Sequence, residues 1–196
     1  YDVRGLYPGE IDAQKARRIG RGFVAYLGAR QIGVSRDMRV SSPALAAAFI
    51  EGAREQGADV IDYGMLGTDM LYYAVVKDNL EGGAQITASH NPGEYNGYKL
   101  YASNGVQVVP PMDADIERRL SSMGPANAVP RVADGIVSLP LASPIPDSVI
   151  DGYLAGVDAL RPRGAADRAL RIVYTPLHGV GGALALRALA AAGFEG

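Results

Sequence analysis

The stretch GAQITASHNPGEYNGYKLY, residues 83–101, joins two extended segments through a polar loop. Residues 83–88 form a short apolar run that predicts a buried strand, and residues 98–101 resume extended structure beyond the loop. In open α/β sheets, ligands bind at the loops that follow the carboxyl ends of strands. The stretch therefore predicts a strand whose following loop, residues 89–97, belongs to a ligand site.

The segments before this stretch alternate between helical and strand patterns. The first helix is indicated by apolar residues at Ile19, Phe23, Val24 and Leu27, with Gly28 where a helix would end. The other predicted segments are a strand near 32–34, a helix at 44–56 that begins at a Ser-Ser-Pro sequence, a strand at 59–63 and a helix at 69–78. This order predicts an α/β fold, a layered mixed sheet with helices on both faces.

A second unit is predicted after a segment rich in proline and alanine. Residues 122–146 have weak periodicity and resemble a connection between domains, so we assign residues 1–138 to a first domain and 139–196 to part of a second, similar α/β domain. Its predicted elements are a helix at 147–160, a strand at 171–174, a glycine-rich turn at 176–182 and a helix at 183–192. The chain begins without methionine and ends just past this helix, so we expect a portion of a longer protein.

Composition excludes several classes of function. The chain has 196 residues, 48% of them hydrophobic, a formal net charge of −2 and no cysteine. Scattered charges of both signs favour neither a nucleic-acid nor a membrane partner, and no apolar run approaches the roughly 20 residues that span a bilayer. The absence of cysteine excludes disulfides and thiolate metal sites and fits a cytoplasmic protein. The expected partner is a small molecule, and the sequence does not indicate an oligomeric state.

The loop after residue 88 carries the residues suited to chemistry. A serine hydroxyl becomes a nucleophile when a tight turn exposes it beside proton acceptors and cations, and Ser89 is followed by His90 and, in the next extended segment, Lys99. The glycines of a hydrolase nucleophile elbow, two residues either side of the serine, are absent. A phosphate role is chemically easier, because loop amides and basic side chains bind phosphoryl oxygens, and it requires a divalent metal.

Four motifs occur in the order found in one enzyme family. Residues 1–5 (YDVRG), 36–43 (RDMRVSSP), 87–92 (TASHNP) and 96–99 (NGYK) resemble the amino-terminal, arginine-aspartate, phosphoserine and lysine motifs of the α-D-phosphohexomutase superfamily. The first of these favours its phosphomannomutase/phosphoglucomutase branch. The resemblance covers residues 1–110 and, more loosely, the turn at 174–182.

The resemblance implies a phosphosugar mutase that interconverts hexose 6-phosphate and hexose 1-phosphate, of mannose or glucose, through a phosphoserine and a bisphosphorylated sugar. Ser89 would carry the phosphoryl group and bind Mg²⁺ through its phosphate, with the other metal ligands beyond the chain. Hexose 1,6-bisphosphate would be the intermediate and activator. We therefore expect weak magnesium binding and little turnover by this chain alone. The implied catalytic residues are Ser89, Arg4, Lys99 and His90, and the implied substrate-binding residues are Tyr1, Arg4, Asn91 and Lys99.

Alternatives stay open for the function and for single residues. A phosphoglucosamine or phosphopentose mutase of the same superfamily would share the serine, and a sugar-phosphate binding module without turnover would share the loop. We interpret Arg36, Asp37 and Arg39 as a structural ion-pair cluster that supports the loop. His178 is interpreted as structural, the Asp113-Ala114-Asp115 run is not assigned as a metal site, and the role of Asp69 is undetermined.

Overall fold

The computed structural model describes residues 2–124, 147–161, 170–177 and 179–194. Five strands, β1 (Asp2–Leu6), β2 (Gln31–Arg36), β3 (Asp59–Met65), β4 (Gly82–Ile86) and β5 (Tyr95–Ala102), form one sheet in the order β1-β5-β4-β2-β3. Strand β2 runs parallel to β3 and β4, whereas β5 is antiparallel to both β4 and β1. The helices are α1 (Ala13–Leu27), α2 (Ser42–Glu55), α3 (Thr68–Lys77), α4 (Met112–Ser122), α5 (Asp147–Ala159) and α6 (Gly182–Ala191).

Helices cover both faces of the sheet, which confirms the predicted architecture. Side chains alternate between the two faces of a strand. In β4, Ala84 and Ile86 belong to the core that α1 and α2 cover, and α4 adds Ile116 to it. The intervening Gly83 faces Leu71 and Val75 of α3. The mixed sheet therefore has two apolar cores, one on each side.

The predicted helices and strands of the first domain are present, with small shifts of their ends. Helix α1 begins where the Asp12 carboxylate accepts a hydrogen bond from the Lys15 amide at 2.7 Å, and ends at Gly28, whose φ of 63° is left-handed. Strand β1 and helix α4 were not predicted. Strand β1 lies at the edge of the sheet and lacks a regular apolar alternation, with Val3 and Leu6 both exposed.

The second predicted unit is present only in part. Helices α5 and α6 form as predicted, and α5 packs on α3 through the Tyr73 and Tyr153 rings, which meet edge to face with centroids 5.7 Å apart. The strand predicted at 171–174 is wrong, since those residues form no strand and Val173 is 99% exposed. An apolar run becomes a strand only when another strand pairs with it, and none does so among the described residues. The predicted boundary at residue 138, and His178, lie outside the described residues.

Asp69, whose role the sequence left open, connects helix α3 to helix α5. Its carboxylate accepts a hydrogen bond from the Tyr153 hydroxyl of α5. That hydrogen bond, with a smaller effect of burial, raises the pKa of Tyr153 to about 12. Asp69 also lies in the first turn of α3, where the helix dipole favours an acidic side chain. Asp69 therefore has a structural contact at the junction of α3 and α5.

Within the described residues, none of the helices is both long and apolar enough to cross a membrane.

The close contact of α1 with α2 depends on Gly52. A Cβ atom at Gly52 would overlap the Arg17 carbonyl oxygen, far closer than van der Waals contact allows. Next to Gly52, the Arg17 guanidinium forms a bidentate ion pair with the Glu55 carboxylate, in which Nε lies 2.9 Å from Oε2. The glycine therefore sets how closely the two helices approach.

We predict that Gly52→Ala lowers the free energy of unfolding by about 3 kcal/mol, because the helices must separate to admit the methyl group. Gly156→Ala is the matched control, since a Cβ at this exposed position of α5 meets no atom within 4 Å. The control should be neutral or slightly stabilising, because alanine favours a helix over glycine. Urea denaturation measures both variants. Equal stability of the Gly52 variant and the wild type would contradict the packing described here.

Candidate active site

The loop that follows β4 presents Ser89 to solvent. Thr87 and Ala88 are buried, whereas Ser89 and His90 are exposed. Ser89 has a φ of 55°, in the left-handed region that residues with a Cβ atom rarely occupy. Such conformations persist where surrounding contacts hold them, and they cluster at functional sites. The candidate nucleophile is therefore the strained and exposed residue at the end of a buried strand.

Thr87 ties this loop to the loop that follows β2. The backbone N–H of Ser89 donates to Thr87 Oγ1 at 2.9 Å, and the Thr87 hydroxyl donates to Asp37 Oδ2 at 2.8 Å. Thr87 is 6% exposed, and both hydrogen bonds are partly buried. The backbone at Ser89 is thus connected through one hydroxyl group to a carboxylate.

Asp37 is the acceptor that joins three parts of the chain. Its Oδ1 accepts from the Ser42 hydroxyl at 2.6 Å and from the Arg39 amide at 3.0 Å, while its Oδ2 accepts from Arg39 Nε at 3.0 Å as well as from Thr87. We call Asp37, Arg39, Ser42 and Thr87 the Asp37 network. Hydrogen bonds to a charged group are stronger than those between neutral groups, which favours a fixed arrangement.

The Arg39 side chain binds the backbone carbonyls of the serine loop. Its Nη1 donates to the carbonyl oxygens of Pro92 at 2.7 Å and Tyr95 at 3.2 Å, and its Nη2 donates to those of Ser89 at 3.1 Å and Asn91 at 2.8 Å. The side chain is 9% exposed. Arg39 is therefore engaged by the protein itself and is not directed at a ligand.

These contacts confirm the structural interpretation of Asp37 and Arg39. Arg36 was placed in the same cluster, and this part of the prediction is wrong: within the described part of the chain, its side chain joins no hydrogen bond or ion pair. Arg36 ends strand β2, one residue before the turn that brings Asp37 toward Thr87. Its backbone carbonyl accepts from the Leu66 amide at 3.2 Å, so its contribution is through the main chain.

Asn96 fixes the other end of the loop, a role that the sequence did not reveal. Asn96 is fully buried, and its side-chain amide donates to the hydroxyls of Ser41 at 2.7 Å and Ser42 at 3.0 Å. The next residue, Gly97, has no room for a Cβ because the Val3 carbonyl of β1 lies against it. An Asn-Gly pair inside an apolar segment was the available signal, but it does not say which partners the asparagine finds.

Arg4 reaches the serine loop from the edge strand. It pairs in register with Gly97, and its Nη1 donates to Asn91 Oδ1 at 3.0 Å. Lys99 is two residues beyond Gly97 in β5 and therefore lies on the same face of the sheet as Arg4. Lys99 is half-buried and Arg4 is exposed. The structure thus brings Arg4 and Asn91 into contact and places Lys99 on their side of the sheet.

His90 completes the group next to the nucleophile. Its Nδ1 lies 3.2 Å from Ser89 Oγ, within hydrogen-bond distance. Tyr1, the remaining predicted site residue, lies outside the described residues. Tyr98, beside Lys99 in sequence, is not an acid or base candidate. Burial, with a smaller effect of Asp12, raises the pKa of its phenol, and its ring stacks on Phe49 in the core.

The described residues do not form a closed metal site. Among them, no three histidine, cysteine, aspartate or glutamate side chains come together as metal ligands. Asp113 and Asp115 lie in the first turn of α4, where Asp115 pairs with Arg118 on the surface. The site as described is a serine loop bordered by basic side chains.

Comparison with known proteins shows which family this chain resembles. Residues 1–125 match the model of the phosphoglucomutase/phosphomannomutase alpha/beta/alpha domain I. A phosphomannomutase of Salmonella typhimurium is 33% identical over 188 residues, which cover 93% of this chain and 38% of that protein. A probable phosphoglucosamine mutase of Thermococcus gammatolerans is 39% identical over 120 residues, 61% of this chain and 27% of that protein.

A solved structure agrees with these matches over nearly the whole chain. A phosphoglucomutase/phosphomannomutase family protein from Burkholderia thailandensis superposes with a TM-score of 0.71 at 26% identity, covering 98% of this chain and 41% of that one. The chain thus spans 27% to 41% of the length of these relatives. On the family model and the agreement in fold, this chain belongs to the phosphoglucomutase/phosphomannomutase family.

Proposed function

We propose that this chain provides the phosphoryl-carrying part of a phosphosugar mutase, with Ser89 Oγ as the carrier atom. The observation that carries the proposal is the conformation of Ser89, which is exposed, left-handed and held by hydrogen bonds at both its N–H and its C=O. Backbone strain at an exposed serine, next to a histidine and near basic side chains, suits a residue that must meet a substrate at a fixed position.

The proposed reaction consists of two phosphoryl transfers, the first from Ser89 to the sugar and the second from the sugar to Ser89. In the first, the bond between phosphorus and Ser89 Oγ breaks, a new bond forms to a hydroxyl oxygen of a hexose phosphate, and the proton of that hydroxyl ends on Ser89 Oγ. The product is a hexose 1,6-bisphosphate. After the sugar reorients, its other phosphoryl group returns to Ser89, and the serine proton ends on the sugar oxygen that leaves. The sum is an isomerisation of hexose 6-phosphate and hexose 1-phosphate.

Charge neutralisation is the main task of the surrounding side chains. A phosphoserine carries a charge of about −1.5 to −2 at neutral pH, and phosphoryl transfer is driven by positioning and by stabilisation of that charge. Arg39 is engaged by loop carbonyls, which leaves this task to Arg4, Lys99 and His90. Arg4 is held beside the loop by Asn91, so its guanidinium is positioned before a substrate arrives.

Magnesium is the cofactor that we propose for this chemistry, because a divalent cation neutralises phosphoryl oxygens during transfer. Among the described residues its ligand would be the phosphate on Ser89, and no cluster of three histidine, cysteine, aspartate or glutamate side chains lies there to complete the coordination. The groups of this chain that we propose for the transfers are Ser89, Arg4, Lys99 and His90.

Relatives of this chain are named after different sugars. One relative is named a phosphomannomutase and another a probable phosphoglucosamine mutase, so mannose, glucose and glucosamine phosphates are candidate substrates. A phosphopentose mutase, or a sugar-phosphate binding module that has lost turnover, is the alternative. The proposed partner is a small sugar phosphate, and a cytoplasmic location remains a prediction from composition alone.

We predict that the intact enzyme gains one phosphoryl group on Ser89 when it is incubated with glucose 1,6-bisphosphate and Mg²⁺. Intact-mass measurement followed by peptide mapping locates the group. Ser89→Ala is the control and should gain none. A wild-type protein that binds the sugar bisphosphate without any phosphorylation would support the binding-module alternative and contradict the carrier role.

We predict that Arg4→Ala and Lys99→Ala each reduce kcat for the mutase reaction of the intact enzyme by roughly a hundredfold or more, since each removes a cation that stabilises the transferring group. Arg118→Ala removes a basic side chain on the surface of α4 and should leave kcat unchanged. Steady-state kinetics of the three variants measure the effect. Wild-type kcat in both the Arg4 and the Lys99 variants would refute the role given to these cations.

A further inference from the structure

Thr87 stands between the carboxylate of Asp37 and the backbone of Ser89. Its hydroxyl makes two hydrogen bonds, one to Asp37 Oδ2 at 2.8 Å and one from the Ser89 N–H at 2.9 Å. An ionised carboxylate only accepts hydrogen bonds, so the Thr87 hydrogen must point toward Asp37. The lone pairs of Thr87 Oγ1 are then left to receive the Ser89 N–H. The direction of donation is therefore fixed: the Ser89 N–H donates to Thr87, and the Thr87 hydroxyl donates to Asp37.

The carboxylate that orients Thr87 is itself immobilised. Ser42, at the first turn of α2, donates to Asp37 Oδ1, and Arg39 donates to both oxygens through its amide and its Nε. Asn96 holds Ser42 in turn through a hydrogen bond of 3.0 Å. Asp37 cannot turn away from Thr87 without breaking contacts to α2 and to its own loop.

The left-handed φ of Ser89 requires contacts of this kind. A residue with a Cβ atom is disfavoured in that region, because the Cβ approaches the following carbonyl oxygen. The Ser89 N–H donates to Thr87, and the Ser89 carbonyl accepts from Arg39. The backbone N–H of Asn91 donates to the Ala88 carbonyl at 3.1 Å. Of these, the Thr87 contact is the one made through a side-chain hydroxyl that a single isosteric substitution removes.

We propose that Thr87 is a positioning residue for phosphoryl transfer, whose hydroxyl fixes the Ser89 backbone so that Oγ is presented to the incoming phosphoryl group. The proposal rests on the carrier role proposed for Ser89. In this arrangement the Ser89 N–H donates its hydrogen bond to Thr87 and not to the phosphate. The charge of the phosphoserine then falls on the side chains around the loop.

Thr87→Val tests the proposal, because valine keeps the shape of threonine and removes the hydroxyl, while Thr87→Ser keeps the hydroxyl. Single-turnover phosphoryl uptake by Ser89 from glucose 1,6-bisphosphate with Mg²⁺ is measured in the intact enzyme. We expect the uptake rate of the valine variant to fall roughly tenfold or more, and its half-saturating bisphosphate concentration to stay within about twofold. The serine variant should retain the rate within about threefold. Uptake at the wild-type rate in the valine variant would overturn the proposal.

Amide hydrogen exchange provides a readout that does not depend on the proposed activity. In the valine variant, exchange at the Ser89 amide should accelerate roughly tenfold or more, and the serine variant should restore protection. Unchanged exchange at Ile32 and Val34 in β2 shows that the variant is folded. If the wild type takes up no phosphoryl group, the carrier role fails, and exchange at Ser89 still decides whether the Thr87 hydroxyl holds the Ser89 backbone. Equal Ser89 exchange in wild type and valine variant would show that it does not and would overturn the proposal.

Discussion

The carboxylate of Asp37 is the constraint on which the rest of the site depends. It accepts hydrogen bonds from α2 through Ser42, from its own loop through Arg39 and from the end of β4 through Thr87. Removing a charged hydrogen-bond partner that is shielded from water costs about 1–3 kcal/mol, which is a large part of the stability of a small domain. The loops after β2 and β4 therefore behave as one unit, and Ser89 takes its conformation from that unit.

The basic side chains around the serine loop fall into two groups. Arg39 donates to four loop carbonyls and to Asp37, so its charge is used within the protein. Arg4 and Lys99 come from β1 and β5, the antiparallel strands on one side of β4, whereas Asp37 follows β2 on the other side. The serine loop lies where the sheet changes from parallel to antiparallel pairing. Asp37 thus comes from one side of β4, and the cations Arg4 and Lys99 come from the other.

The sequence predicted the elements better than their contacts. Apolar periodicity and glycine ends located five helices and strands β2 to β5. Helices α1, α2 and α3 have a regular pattern because each buries one face. The pattern at 171–174 is that of a strand, yet pairing depends on a neighbour that a local pattern cannot supply. Ser89 and His90 are adjacent in sequence, so their contact follows from the local order, whereas Thr87 meets Asp37 across 50 positions. Hydrogen bonds of that kind depend on register between strands, which residue types do not specify.

We propose that the Ser89 oxygen is presented to cations that stabilise its phosphate as a dianion. The direct measurement is a ³¹P NMR titration of the intact enzyme phosphorylated on Ser89, recorded without divalent metal. A short phosphoserine peptide has a second phosphate pKa of about 6. We expect the pKa of the Ser89 phosphate to be clearly lower, because nearby positive charge favours the dianion, and to rise again in the Arg4→Ala variant. A pKa equal to that of the peptide, unchanged by the substitution, would contradict the account.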